Sequence, residues 1–252
     1  MKNYKRRIIA YFDILGFKNM INRSIEINKI ESIISILETL KTISTPSRPT
    51  IIKNSDYEVK RFFSMFSDNI IITFDIDLES EVSHTVSDIF NIIISLVSKK
   101  VLVRGSIICG DIYHDENYVF GPGLVKAYEL EQYAIYPRVL VDNEVLEIAK
   151  KYPFFANSSD LEGLLIDYML CTDLDGLKYI DYFNLAEDSF ENTGLNMDLY
   201  YSSLRETICE IYPIAKKDTS LFMKYKWLEN KYNNGINHIN KCYKSNYCEI
   251  HS

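Results

Sequence analysis

The chain has 252 residues, 47% of them hydrophobic and 25% charged, with a formal net charge of −7. That apolar content is enough for a core and excludes disorder over most of the length, while an acidic chain without a basic stripe is no general nucleic-acid binder. The five cysteines (Cys109, Cys171, Cys209, Cys242 and Cys248) are odd in number and lack C-x-x-C spacing, and no apolar run approaches the roughly 18–20 residues of a membrane span; the expectation is a cytoplasmic protein without disulfides, structural zinc, membrane or nucleic acid.

Residues 7–13 are extended and apolar, and Gly16 breaks the strand before a helix that begins near Phe17. Ile30, Ile33, Ile34, Leu37 and Leu40 recur at helical spacing, which predicts a helix over about 28–42. Pro46 and Pro49 then mark a loop. Val59–Phe66 and Asn69–Phe74 read as a hairpin turning at Ser67-Asp68, although neither turn residue is the glycine a primed turn prefers. Val82, Val86, Ile89, Phe90, Ile93, Leu96 and Val97 form a second helical stripe. A strand follows from Val101 to Ile112, interrupted by Gly105 and Gly110. Gly121-Pro122-Gly123 opens a helix with Leu124, Ala127 and Leu130 on one face, and Pro137–Asp142 is a strand ending in an N-cap. Leu164–Cys171 and Leu177–Phe183 form a last hairpin, turning over Asp173–Gly176. Two helices over about 197–214 and 217–232 follow, and the last twenty residues read as frayed. The order implies an α+β fold, a mainly antiparallel sheet with helices packed on one face. Residues 1–189 make one domain and 190–252 a C-terminal helical extension.

Two aspartates stand out. Asp13 lies in Tyr11-Phe12-Asp13-Ile14-Leu15-Gly16, with apolar residues on both sides, and Asp68 precedes Asn69-Ile70-Ile71-Ile72. A carboxylate at the core-facing end of an apolar strand needs a partner. Two of them joined by strand pairing would hold divalent metal, the chemistry of a phosphoryl-handling site. Gly16 lets backbone approach a ligand, and the helix starting near Phe17 offers free N–H groups to a phosphate. Arg104, mid-strand before Gly105, suits an anionic phosphate or, more simply, a neighbouring carboxylate. His114-Asp115-Glu116 reads as a polar turn, and His84, His238 and His251 have no assigned role.

Taken in order, these runs resemble the catalytic domain of class III nucleotide cyclases over about residues 7–185. The motifs are Phe12-Asp13-Ile14-Leu15-Gly16-Phe17, Phe66-Ser67-Asp68, Arg104 through Gly110, Gly121 to Glu131 and Arg138 to Asp142. Tyr113-His114-Asp115-Glu116 before Phe-Gly-Pro, and Lys224-Tyr225-Lys226-Trp227-Leu228 near the C-terminus, are similar to the pyrimidine cyclases of Pycsar antiphage systems. The resemblance implies a ferredoxin-like palm, two divalent cations (Mg2+ or Mn2+) on Asp13, Asp68 and the Ile14 carbonyl, and a triphosphate held near Gly16, Phe17 and Lys18. It also implies a phosphate contact from Arg104 and a homodimer with shared active sites. The implied substrate is a nucleoside triphosphate, and the implied product its 3′,5′-cyclic monophosphate.

The chain departs from that pattern in two places. Where the family presents an asparagine and an arginine to the transition state, this sequence has Val125 and Glu129, with Lys126 or Lys178 as conceivable substitutes. The family's two purine-reading positions fall on Ser64 and Tyr118. Neither matches the lysine–aspartate or glutamate–cysteine pairs of purine cyclases, which points to UTP or CTP.

Overall fold

The computed structural model describes residues 3–26, 30–42, 61–76, 81–151, 166, 168–190 and 194–251. Strand β1 (Lys5–Ile14) leads into helices α1 (Phe17–Glu26) and α2 (Glu31–Lys41). The hairpin of β2 (Arg61–Phe66) and β3 (Asn69–Asp75) comes next, then α3 (Glu81–Ser98), β4 (Val103–His114) and the short β5 (Val119–Phe120). Helix α4 (Pro122–Ala134), β6 (Val139–Val141), α5 (Asn143–Lys151), β7 (Leu170–Thr172) and β8 (Lys178–Ile180) follow, and helices α6 (Met197–Ala215) and α7 (Thr219–Tyr243) close the chain. The loop with Pro46 and Pro49 lies outside the described residues, as do positions 59 and 60 of the first hairpin strand.

The sheet runs β2-β3-β1-β4-β6-β8-β7, with β5 paired to β4. All pairings are antiparallel except β4 with β6. The fold is therefore the α+β arrangement expected, a mainly antiparallel sheet with a helical layer on one face. Side chains alternate along β1. Ile8, Ala10, Phe12 and Ile14 enter the main core with Ile70, Ile72 and Phe74 of β3 and the whole α3 stripe from Val82 to Val97. Helices α6 and α7 join the same core through Tyr200, Leu204, Ile208, Tyr225 and Leu228.

The opposite face carries Arg7, Ile9, Tyr11 and Asp13, in register with Asp75, Thr73, Ile71 and Asn69 of β3. Helix α4 lies on this face, over β4 and β1, where Ala127 closes a small second core with Ile9, Tyr11, Ile108 and Ile112. The approach is backbone to backbone: a Cβ on Gly110 would sit 2.7 Å from the Cα of Gly123. Gly110 therefore seats α4 and does not interrupt the strand, since pairing with β1 is continuous from Val103 to Ile112.

Three expectations are corrected. Ile166, Tyr168 and Met169 are helical and not part of a long hairpin strand. Ile166 and Met169 are buried three residues apart, the spacing of one helical face, and strand pairing begins only at Leu170 opposite Ile180. The C-terminus is not frayed. Helix α7 continues to Tyr243 because Tyr232, Ile236 and Ile239 extend its buried stripe. Beyond it, Asn233 and Asn240 hydrogen-bond the backbone of Ile250 and Tyr247 and seat Ile250 in the core. Finally, His114 is the buried last residue of β4. Only Asp115 and Glu116 form the polar turn, in which the Asp115 carboxylate accepts from the N–H groups of Asn117 and Tyr118.

Candidate functional site

Asp13 sits on the α4 face near the end of β1, opposite Asn69 on one side and Arg104 on the other. The turn that follows β2 brings Asp68 alongside. Ser67 takes the left-handed φ of +58° that a glycine would have made easier, and the Ile14 N–H donates to the Asp68 carbonyl at 3.0 Å. Both aspartates are half-buried. Burial pushes the Asp13 carboxyl above its ordinary range; Arg104 pulls it down, and the charges of Asp68 and Glu131 push it up. Asp13 and Asp68 are thus electrostatic neighbours at one end of the sheet.

Arg104 is already engaged. Its Nη2 lies 3.2 Å from Asp13 Oδ2, and its Nε donates to Glu131 of α4. Glu131 is buried, and its other oxygen accepts from the Gln132 amide. Tyr11 donates from its hydroxyl to Asn69, and burial, with Glu131 and Asp13 nearby, pushes the phenol up to about 12. Gly16 adopts φ +77° and α1 begins at Phe17, so the first N–H groups of that helix lie just beyond the aspartates. Phe17 is buried in the main core, while Gly16 and Lys18 are exposed.

The other candidates separate from this end. Tyr118 is exposed and lines a cleft of about 740 Å³ with Asn3, Tyr4, Tyr113 and Phe120. That cleft lies past the pairing of Lys5 with Ile112, at the opposite end of β1. Eight residues separate Lys5 from Asp13, about 27 Å of strand. Ser64 is closer. It faces Ile71, which faces Tyr11, so two strand spacings and two residues place it about 12 Å from Asp13. Val125 and Glu129 are exposed on α4. Lys126 is bound at 2.6 Å to Asp142 and at 3.4 Å to Glu144, and Lys178 starts β8, two strands beyond β4.

Residues that sequence reasoning passed over complete the cluster. Glu131 and Asn69 are two of them; Asn69 was findable as the neighbour of Asp68. Lys224, on α7, is the third: its charge favours ionised Asp13, so the C-terminal segment reaches this end of the sheet electrostatically. Among the described residues no group of three His, Cys, Asp or Glu forms a metal centre. The donor set at Asp13 and Asp68 is nonetheless oxygen only. It suits a hard cation that keeps waters and takes further oxygens from a phosphate. Burial is the main reason Asp13 holds a proton more tightly than an ordinary carboxyl, and a bound cation would favour its ionised form.

No family model matches the chain, and no curated protein matches it. Solved structures do. The adenylyl cyclase CyaB from P. aeruginosa is 14% identical over 59% of this chain and 83% of its own, with a TM-score of 0.40. A bacterial light-regulated adenylyl cyclase is 12% identical over 81% of this chain and 98% of its own, with a TM-score of 0.41. A class III adenylyl cyclase-like ATP-binding protein from Pseudomonas aeruginosa is 12% identical over 66% of this chain and 40% of its own, with a TM-score of 0.37. No helix among the described residues is long and apolar enough to cross a membrane.

Proposed function

We propose that this protein is a class III-type nucleotide cyclase. It converts UTP or CTP to the 3′,5′-cyclic monophosphate and pyrophosphate, as a signal generator in antiphage defence. The observation that carries the reading is the meeting of Asp13 and Asp68 through neighbouring strands, with the Ile14 N–H on the Asp68 carbonyl at 3.0 Å. Asp13, Asp68 and the Ile14 carbonyl would hold two divalent cations, Mg2+ or Mn2+, which when bound neutralise the triphosphate and acidify the ribose 3′-hydroxyl.

The chain's own groups do the rest. Free N–H groups at Gly16, Phe17 and Lys18 receive phosphate oxygens. Arg104, fixed through Nε by Glu131, turns its remaining N–H groups from Asp13 to the incoming phosphate. The 3′-oxygen attacks the α-phosphorus in line, the bond to pyrophosphate breaks, and the hydroxyl proton passes to water. The cleft that Tyr118 lines lies beyond Lys5, and Lys5 is about 27 Å of strand from Asp13. If Tyr118 and Asp13 serve one substrate, a second copy supplies Tyr118, which supports a homodimer with shared sites. Residues 1–189 carry this chemistry, and 190–252 form an extension packed behind it.

A second reading, a cyclase-fold protein that binds nucleotide without turnover, is favoured by Val125 and Glu129, neither of which can donate to a developing anion as an arginine would. A purine cyclase is the third. Each of the four nucleoside triphosphates is incubated with the protein under Mg2+ and under Mn2+, and the products are chromatographed. Cyclic UMP or CMP is expected, with loss of at least about a hundredfold in Asp13→Asn and Asp68→Asn. Full turnover in both variants refutes the assignment; tight binding without pyrophosphate release establishes the second reading, and cyclic AMP or GMP the third.

A further inference from the structure

Asn69 stands directly across from Asp13 in the ladder between β1 and β3. Opposed residues share a face, with Cβ atoms about 5 Å apart, so the half-buried Asn69 amide lies on the α4 face beside the Asp13 carboxylate. Tyr11 opposes Ile71 in the same ladder and is therefore the diagonal neighbour of Asn69. Its hydroxyl bonds the Asn69 side chain, and its buried ring is held edge-on by Tyr128 of α4, with centroids 6.0 Å apart. Among the described residues the Asn69 side chain makes no other hydrogen bond.

An amide has a donor end and an acceptor end, and two features decide which end meets the phenol. Burial, and then the charges of Glu131 and Asp13, push Tyr11 up to about 12, so the hydroxyl keeps its proton and has one to give. The Asp13 carboxylate opposite repels an amide oxygen and attracts an amide N–H. Both put Oδ1 on Tyr11. Tyr11 lies toward the middle of the sheet, so the Nδ2 end faces outward, to where β1 ends, Asp68 turns and α1 begins. Asp13 thus has a guanidinium on one flank, from Arg104, and an unspent neutral donor on the other.

We propose that Asn69 is a catalytic residue of the cyclisation: its Nδ2–H donates to a non-bridging oxygen of the α-phosphoryl group as charge builds there, with Tyr11 as the positioning residue that keeps the donor end of the amide in the site. The proposal rests on the cyclase reading above, which brings the α-phosphoryl to the cations of Asp13 and Asp68. The amide gives up no proton. It is a dipole already aimed before substrate arrives, and such a donor acts on the transition state more than on the bound substrate. A bond that only held the hairpin in register would need the acceptor end of Asn69 and leave the donor end without a task.

The values of kcat and KM are measured under Mg2+, with the triphosphate that the wild type cyclises, for wild type, N69A, Y11F and the double variant, with thermal melting on each. N69A is expected to lower kcat by about a hundredfold, the lower end for a lost oxyanion donor, with KM within about twofold, the mark of a contact made in the transition state. Y11F keeps the amide but frees it to rotate, and its kcat falls between the two. The double variant is no slower than N69A, because Tyr11 then has nothing left to aim. Where N69A melts below the assay temperature, N69V, a good strand residue without a donor, replaces it with the same expectation. A kcat within about twofold of wild type overturns the proposal, as does a loss carried by KM alone. A Y11F kcat equal to wild type, or losses that multiply in the double variant, overturn the role of Tyr11. A wild type that makes no cyclic product from any of the four triphosphates fells the cyclase reading and this proposal with it; an active wild type beside an unimpaired N69A fells the role of Asn69 alone.

Discussion

His114 makes the protein acid-sensitive in a window that its burial defines. In the unfolded chain the imidazole titrates near its ordinary value of 6.5, and in the fold at about 4. A folded value below the unfolded one means the fold favours the neutral ring. The stability from that preference is fully present above about pH 6.5 and is lost as pH falls toward about 4. At about 1.36 kcal/mol per unit, the loss is about 1.4 kcal/mol at pH 5.5 and about 3 kcal/mol at pH 4. Against a typical domain stability of about 5–15 kcal/mol, that is a large share from one side chain. His114→Gln keeps a polar group near Ser64 and does not titrate. Urea unfolding of wild type and H114Q at half-unit steps from pH 7.5 to 4 isolates the imidazole, because the carboxylates titrate in both proteins. Whatever the substitution costs at pH 7.5, the stability difference should narrow by about 3 kcal/mol by pH 4. A difference that stays constant across the range refutes the neutral, buried imidazole held between Ser64 and Thr73.

Asp13 works in the opposite direction. Its raised carboxyl gives stability present below the unfolded value of about 3.9 that is lost as pH rises through the folded one, so Asp13→Asn should melt higher than wild type at pH 7.5 without divalent cations, and equally at low pH. An Asp13→Asn variant that melts lower at pH 7.5 would show that the Arg104 pair outweighs the burial. Arg138 is fully buried, bonds Asp173 at 2.6 Å and Asp175, and lies over Tyr136 and Tyr179. Asp173 in turn accepts from Trp227 Nε1 at 2.8 Å and lies 3.0 Å from Lys231 of α7. Removing one partner of such a network costs about 3–5 kcal/mol, so Arg138→Met should destabilise by that amount. It should also red-shift the emission of Trp227, the single tryptophan, as α7 loosens; unchanged emission and stability would show that the ion pairs fix nothing.

The elements legible in the sequence are those whose burial has one period. Every residue of the Val82–Val97 stripe is buried, and the Asp13 and Asp68 motifs sit where their flanking strands put them. What stayed hidden depends on partners far along the chain. The tail beyond Tyr243 is polar by composition, and it is ordered by two asparagine side chains on α7 that bind its backbone, which hydropathy does not encode. Glu131 reaches Arg104 only because Gly110 and Gly123 let α4 settle on the sheet. His114 sits beside Asp-Glu-Asn and so reads as a turn. Its burial follows from β4 running past its pairing with Lys5 toward Thr73 and Ser64.

The two ends of the α4 face differ in what they leave unbalanced. At the His114 end, Arg7 and Asp75 form a buried pair at 2.7 Å, and the imidazole is neutral between hydroxyls. At the other end, Asp13, Asp68 and Glu131 gather three carboxylates around the single guanidinium of Arg104, with the half-buried Lys224 as a further cation. Three carboxylates against Arg104 and Lys224 leave one negative charge in excess. Burial first, and then the charges of Asp68 and Glu131, raise the Asp13 carboxyl against the pull of Arg104 and Lys224. Under the proposed reading, divalent cations would offset that charge, and a triphosphate would compete with Asp13 for the guanidinium of Arg104. The ion pair observed with Asp13 and the proposed phosphate contact would then be alternative uses of one side chain, with Glu131 holding the guanidinium in both.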